Sequence, residues 1–279
     1  MNDSIAIFVM QKILVFSFSF IGDAVLSTAV IQPLRKHFPD AHITFLVGPR
    51  AFDLLAAEPN IAATLVYDNR GEHAGWRGRL RLVKTLRHQK FDLVVNLRDS
   101  LTARGIGAEH WGLVQGESHR HAVTRYLEVL QRHGVDTSDA HPHLQLTENE
   151  QTTAHRFLAD IGIPSDQLRI GIHPGGNWAY KLWNAKHYAQ VASVLAKKRD
   201  AAILLFAGPH ERDLQNKVAE SVDVPLIPIE TEHLRHLAAL IAMCDVYIGN
   251  DTGPMHIAAA VGTTVGERVG STKHMRSGP

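Results

Sequence analysis

The run Asp251-Thr252-Gly253-Pro254-Met255-His256 places a short polar loop between two apolar segments, 245–250 and 257–262. That pattern reads as a strand, a tight loop and the first turn of a small-residue helix. Helix starts carry unpaired N–H groups and a partial positive charge, so they hold phosphates. Gly253 lets the backbone approach a ligand, Pro254 is pre-set for a first helical position, and Thr252 adds a hydroxyl donor. Asp251 would repel a phosphate, so it orders the loop or meets a sugar hydroxyl. His256 pairs with a phosphate or simply packs. By geometry alone, a well-capped helix after a strand accounts for the segment equally well. A second loop, His173-Pro174-Gly175-Gly176-Asn177, precedes Lys181 and Trp183. Gly175, Gly176 and Asn177 offer backbone and amide donors. No Gly-Lys-Ser/Thr follows, and no Gly-x-Gly-x-x-Gly follows a strand, which argues against Walker-type and nicotinamide chemistry.

Other candidates are more ambiguous in isolation. Asp23 lies at a strand-to-helix turn, where a carboxylate is commonly a cap. Glu211, in Gly208-Pro209-His210-Glu211, reaches a ribose or caps the next helix, the cap being the slightly favoured reading; Glu230 is the better ribose or adenine candidate. Residues 70–90 hold Arg70, Arg77, Arg79, Arg81, Lys84, Arg87 and Lys90 against Glu72. Such a run is a solvated helix face, or it meets anionic phosphates and an anionic leaflet. His110, His119, His121, His141 and His143 match no zinc spacing, so no metal is expected.

Four segments carry a family resemblance: Lys12–Phe16 with 21–26, 121–126, 173–176 with Lys181-Leu182-Trp183, and 250–263. Together they resemble the ADP-heptose:lipopolysaccharide heptosyltransferases, glycosyltransferase family 9. The resemblance implies a GT-B fold and an inverting, metal-independent transfer needing no cofactor. Its partners would be an ADP-heptose donor and a lipopolysaccharide inner-core acceptor, with peripheral contact at the inner membrane and no nucleic acid. Asp23 would take the acceptor proton and Lys181 would steady the departing diphosphate. Gly175, Gly176, Asn177, Glu230 and Asp251, Thr252, Gly253, Pro254, Met255 and His256 would bind the donor. Gly22 would let the acceptor approach, with Arg98, Arg104 and Arg120 nearby. Ser17 stands where relatives commonly have arginine. Other readings stay open: a relative that only binds nucleotide, a member using another nucleotide sugar, or a nucleotide-sugar epimerase.

These residues need elements to hold them. At 279 residues with 45% apolar and 20% charged content, the chain suits two globular domains. A net charge of +1 announces no nucleic-acid partner. The single Cys244 excludes an intrachain disulfide and fits a reducing, cytoplasmic compartment. Gln11 and Lys12 interrupt the apolar N-terminus, so neither a membrane span nor a signal peptide is expected. Relatives start near Met10, which implies an extension over 1–9 or a different start codon.

Strand and helix alternate. Strands are expected at 13–18, 42–47, 63–67, 92–96, 169–173, 201–207, 225–229 and 246–249, with a short one at 143–146. Helices are expected at 23–37, 50–57, 78–88, 122–133, 148–161, 185–198, 210–221 and 233–243. This order predicts parallel sheets and two Rossmann-like domains facing a cleft, 1–160 and 161–279. After Thr263 the sequence has no apolar run, so the second domain is expected to be incomplete, with an exposed strand edge.

Overall fold

The computed structural model describes residues 10–113, 120–176 and 182–268. Its first half holds β1 (Lys12–Phe16), α1 (Ile21–Ser27), α2 (Ile31–His37), β2 (His42–Val47), α3 (Pro49–Ala56), β3 (Ala63–Val66), α4 (Gly75–His88), β4 (Leu93–Asn96), α5 (Leu101–Arg104), β5 (Glu109–Gly112) and α6 (Ala122–Gln131). There follow α7 (Glu148–Asp160), β6 (Arg169–His173), α8 (Ala185–Arg199), β7 (Ala202–Ala207), α9 (Arg212–Ala219), β8 (Ile227–Glu230), α10 (Leu234–Ala242), β9 (Val246–Asn250), α11 (Gly253–Ala260) and β10 (Thr264–Arg268).

The strands form two five-stranded parallel sheets, ordered β3-β2-β1-β4-β5 and β10-β9-β6-β7-β8. Read from the other edge, the second sheet repeats the topology of the first. Strands such as Ile203-Leu204-Leu205-Phe206 are buried on both faces because helices cover both sides, so they read as continuous apolar runs rather than alternations. This is the GT-B arrangement. In each sheet the strand order reverses next to the first strand, between β1 and β4 and between β6 and β9. Ligands of open α/β sheets bind in the crevice at such points.

Several expectations need correction. The helix expected over 23–37 is broken into α1, a 3₁₀ turn at Thr28–Val30, and α2. Ser27 and Thr28 donate side-chain hydrogen bonds back to Ala24 and Val25, and Pro33 cannot donate to the preceding turn. No strand forms at 143–146; its N–H groups go instead to Thr28 Oγ1, Ala260 O and Glu58 Oε2. β5 was not expected, since Glu-His-Trp-Gly carries no strand pattern; its backbone pairs with β4. The sequence after Thr263 does yield an edge strand, β10, in register with β9 from Thr264↔Val246 to Arg268↔Asn250. Backbone pairing suffices at an edge, and Thr264 and Val265 suit it.

One contiguous apolar cluster runs from β1, β2 and α1 through α10 and α11, so the two halves share an apolar boundary. α7 lies against α10, where Phe157 meets His236 edge to face at 5.8 Å. Buried Arg235 of α10 donates to Glu150 Oε1 at 2.7 Å and Gln145 O at 2.8 Å, and Leu234 N donates to Asp53 Oδ2 at 2.6 Å. These bonds tie α10 to α3 and α7.

Candidate active site

The two reversal points face each other through a helix–helix contact. α1 begins five residues after β1, and α11 begins three after β9. A Cβ placed on Gly22 would lie 2.7 Å from His256 Cδ2, and one on Gly253 would lie 3.0 Å from Ile21 Cβ. The starts of the two helices therefore touch, through Ile21 and Gly22 on one side and Gly253 and His256 on the other, and Asp23 follows Gly22 in the first turn of α1. At Gly22, expected to make room for an acceptor, the missing side chain leaves room for the His256 ring.

Asp23 is half-buried. Burial raises its pKa above the ordinary carboxylate value, and the Arg98 guanidinium pulls it partly back. A raised carboxylate is a stronger base than a free one, which suits proton abstraction. Arg98 follows β4 on the other side of the reversal point. Buried Asn96 shapes that loop by accepting from Arg98 N at 3.3 Å and Ser100 N at 3.1 Å. Arg98 then lies over the Tyr67 ring at 5.5 Å and reaches Ser19 Oγ at 3.4 Å. Tyr126 is also close: burial, and then the Asp23 charge, hold its phenol well above the ordinary tyrosine range. Ser17 is buried and meets Ser27 at 2.6 Å.

In the second half, fully buried Asn250 ends β9. Its amide donates to Pro174 O at 2.8 Å and Gly175 O at 3.1 Å, and its Oδ1 accepts from Trp183 N at 3.1 Å. One side chain thus fastens both ends of the segment that carries Asn177 and Lys181. Gly176 has a φ of 154°, and a Cβ there would lie 2.7 Å from Thr252 Cγ2. The glycine loop is therefore pressed against the 251–256 loop, and only glycine fits at 176.

Glu211 neither caps α9 through its side chain nor reaches outward. Its carboxylate accepts from His173 Nε2 at 2.8 Å and Gly208 N at 2.8 Å, directly beneath Gly175, whose added Cβ would lie 2.1 Å from Oε1. Burial works to raise its pKa and is the largest single influence. The His173 bond and charge and the N–H groups of Gly208 and Gly176 outweigh it, leaving the carboxyl at about 2. Asn250 and His173 were not singled out as site residues, and Glu211 was weighed only as a ribose ligand or a helix cap. The available signal was that each ends a strand, or follows one, at the carboxyl edge of the sheet.

The remaining expected residues scatter. Asp251 Oδ1 lies 3.9 Å from His256 Nε2, and both side chains are largely buried. Thr252 Oγ1 donates to Asn250 O at 3.3 Å. Pro254 occupies the first turn of α11. Met255 is 1% exposed and belongs to the core, so it supports the helix rather than facing a ligand. Glu230, ending edge strand β8, is held in a two-pronged pair with Arg212. Arg104 is half-exposed near Asp99 at 3.5 Å, and Arg120 pairs with Glu128. Asn177 and Lys181 lie outside the described residues. Among the described residues no three His, Cys, Asp or Glu side chains converge as a metal would require. Several histidines have structural partners: His133 stacks on Trp111 at 4.2 Å and His121 caps α6.

Comparison with known proteins gives a consistent result. Residues 112–279 match the family model "Glycosyltransferase family 9 (heptosyltransferase)". A lipopolysaccharide core heptosyltransferase of Haemophilus influenzae is 26% identical over 91% of this chain and 78% of its own. The crystal structure of a family 9 glycosyl transferase from Veillonella parvula superposes with a TM-score of 0.87 at 27% identity, covering 97% of this chain and 84% of that one. An Escherichia coli heptosyltransferase solved with ADP-2-deoxy-2-fluoro heptose superposes at 0.72. It covers 95% of this chain and 92% of that one; at 16% identity the likeness is one of fold.

Proposed function

Because this chain belongs to glycosyltransferase family 9, a family of transferases, we propose that it moves heptose from ADP-heptose to the inner core of lipopolysaccharide, with inversion and without a metal. The contact of α1 with α11 is the observation that carries this reading. It sets a base of raised pKa beside a loop suited to a sugar diphosphate. The acceptor hydroxyl gives its proton to the Asp23 carboxylate as its oxygen attacks the anomeric carbon. The bond to the β-phosphate oxygen breaks on the opposite face, and ADP leaves with the electron pair. The start of α11, with Thr252 and Gly253, and the Lys181 ammonium meet the charge that develops on the diphosphate. Glu211, His173 and Asn250 hold the glycine loop against that start. Arg98 sits on the acceptor side, and its charge favours the ionised form of Asp23 against the burial that opposes it. The acceptor is lipid-borne, so the chain works at the face of a membrane. Among the described residues no helix is long and apolar enough to cross one.

Incubation with ADP-heptose and a heptose-deficient lipopolysaccharide, in a chelator, tests this. The expected product carries one added heptose with inverted anomeric configuration. A retained configuration, a requirement for added metal, or turnover of the sugar nucleotide without acceptor would overturn it.

A further inference from the structure

α4 is a 14-residue helix rich in cations. Only Gly78, Leu82 and Leu86 are buried on it, and its sequence Gly-Trp-Arg-Gly-Arg-Leu-Arg-Leu-Val-Lys-Thr-Leu-Arg-His contains no acidic residue. Trp76 and Leu80, one turn apart, are 70% and 60% exposed. Arg77, Arg79, Arg81 and Lys84 surround them, all exposed, and Arg77 lies over the Trp76 ring at 5.1 Å. A single exposed leucine needs no explanation, but an indole and a leucine stacked on one helical face inside a ring of cations is the composition of a helix that lies in a bilayer interface. The indole and leucine enter the headgroup–acyl boundary while the guanidinium groups meet anionic headgroups.

Placement agrees with this. α4 runs from the end of β3 back to the start of β4, so its first turn lies at the carboxyl end of the sheet, the end that carries Asp23 and Arg98. The exposed leucine of α5, Leu101, is 77% exposed on the neighbouring helix, which Arg87 fastens to α4 by donating to Gly105 O at 2.7 Å. We infer that α4, through Trp76 and Leu80 with their flanking cations, is a docking surface for an anionic lipid bilayer, and that it sets the acceptor side of the cleft at headgroup level. The orientation part rests on the proposed lipid-borne acceptor; the docking itself does not. A nucleic acid would use the cations and could stack on Trp76, but would leave Leu80 and Leu101 exposed.

The full chain is mixed with vesicles of phosphatidylglycerol and phosphatidylcholine, or of phosphatidylcholine alone, and sedimented. Binding is expected on the anionic vesicles and to fall with salt. At about 1 kcal/mol, or roughly fivefold, per cation near the surface, Arg79→Ser with Lys84→Ser weakens partitioning by about 25-fold. Trp76→Ser with Leu80→Ser weakens it by at least about tenfold. In a second measurement, brominated lipids quench a fluorescence component that is missing in Trp76→Phe. Equal binding to uncharged vesicles, or partitioning unmoved by both pairs, would overturn the inference. So would an equal loss of transfer to a soluble, lipid-free acceptor, which would make α4 part of the substrate site. Vesicle binding and ADP release are read separately, so failure of the docking and failure of the transferase reading are distinguishable.

Discussion

Gly22→Ala is the substitution that most sharply probes the join between the halves. The added methyl would sit 2.7 Å from His256 Cδ2 and 3.2 Å from Nε2. Ordinary contact starts at 3.4 Å, so the ring or helix α1 has to retreat by about 0.7 Å. His256 is 6% exposed and cannot swing outward, so the helices separate. Overpacking of this kind costs about 1–3 kcal/mol, which lowers Tm by roughly 2–4 °C per kcal/mol in a chain of this size. The separation also draws Asp23 from the diphosphate loop. Misplacement by about 1 Å costs on the order of a hundredfold in rate, so kcat/KM should fall by roughly ten- to a hundredfold. The assay is ADP release together with a thermal melt, in a double-mutant cycle with His256→Ala. Removing the ring should return most of the lost Tm, giving a coupling of about 1–3 kcal/mol. Full activity and unchanged Tm in Gly22→Ala, or strictly additive Tm losses in the cycle, would refute the reasoning.

Arg98→Gln removes the influence that lowers the Asp23 pKa and leaves the burial that raises it, so the acidic limb of the pH–kcat/KM profile should move to higher pH; a limb that stays put or moves down sinks this assignment. Glu211→Gln should cost about 1–3 kcal/mol by weakening a buried, charge-assisted cluster. Because the folded carboxyl sits near 2 and its ordinary value is 4.5, that stability is present above 4.5 and lost as pH falls toward 2, so the gap in Tm between the two proteins should close across that window. Asn250→Ala strands Trp183 N and two carbonyls, which should cost about 2–4 kcal/mol and raise the KM for the sugar nucleotide more than it lowers kcat; an unchanged KM would show that the glycine loop does not depend on this clamp.

Much of this was readable from residue order. Alternating apolar runs and glycine-marked turns place the strands, because parallel strands buried on both faces are apolar throughout. The position of Asp23 and the 251–256 loop just beyond a strand marked them as candidates, but position alone suited a helix cap as well, and it was the family resemblance that gave them roles. What stayed hidden depends on through-space contact. Nothing in the local sequence says that Gly22 packs on a histidine more than two hundred residues away, or that Met255 turns into the core beside Gly249. Glu211 looked like a cap or a ribose ligand because the partners that claim it, His173 and the glycine loop, belong to another strand. β5 and β10 were missed because short edge strands are held by backbone pairing, which leaves little trace in side-chain pattern. The 3₁₀ break at Thr28 had a local signal in Ser27-Thr28 and Pro33, whose side chains compete with or block helical bonds.

The central claim is that Asp23 acts as the base at the α1–α11 junction, and Asp23→Asn tests it most directly. Acceptor-dependent ADP release should fall by about a hundred- to ten-thousandfold, with the dissociation constant for ADP-heptose unchanged. Burial disfavours the ionised carboxylate, so its contribution to stability is lost as pH rises through the raised folded pKa; the amide should therefore leave Tm at neutral pH equal to or above that of the parent. A variant that still releases ADP at the parent rate, or one whose lost activity is explained by lost ADP-heptose binding, would contradict the account.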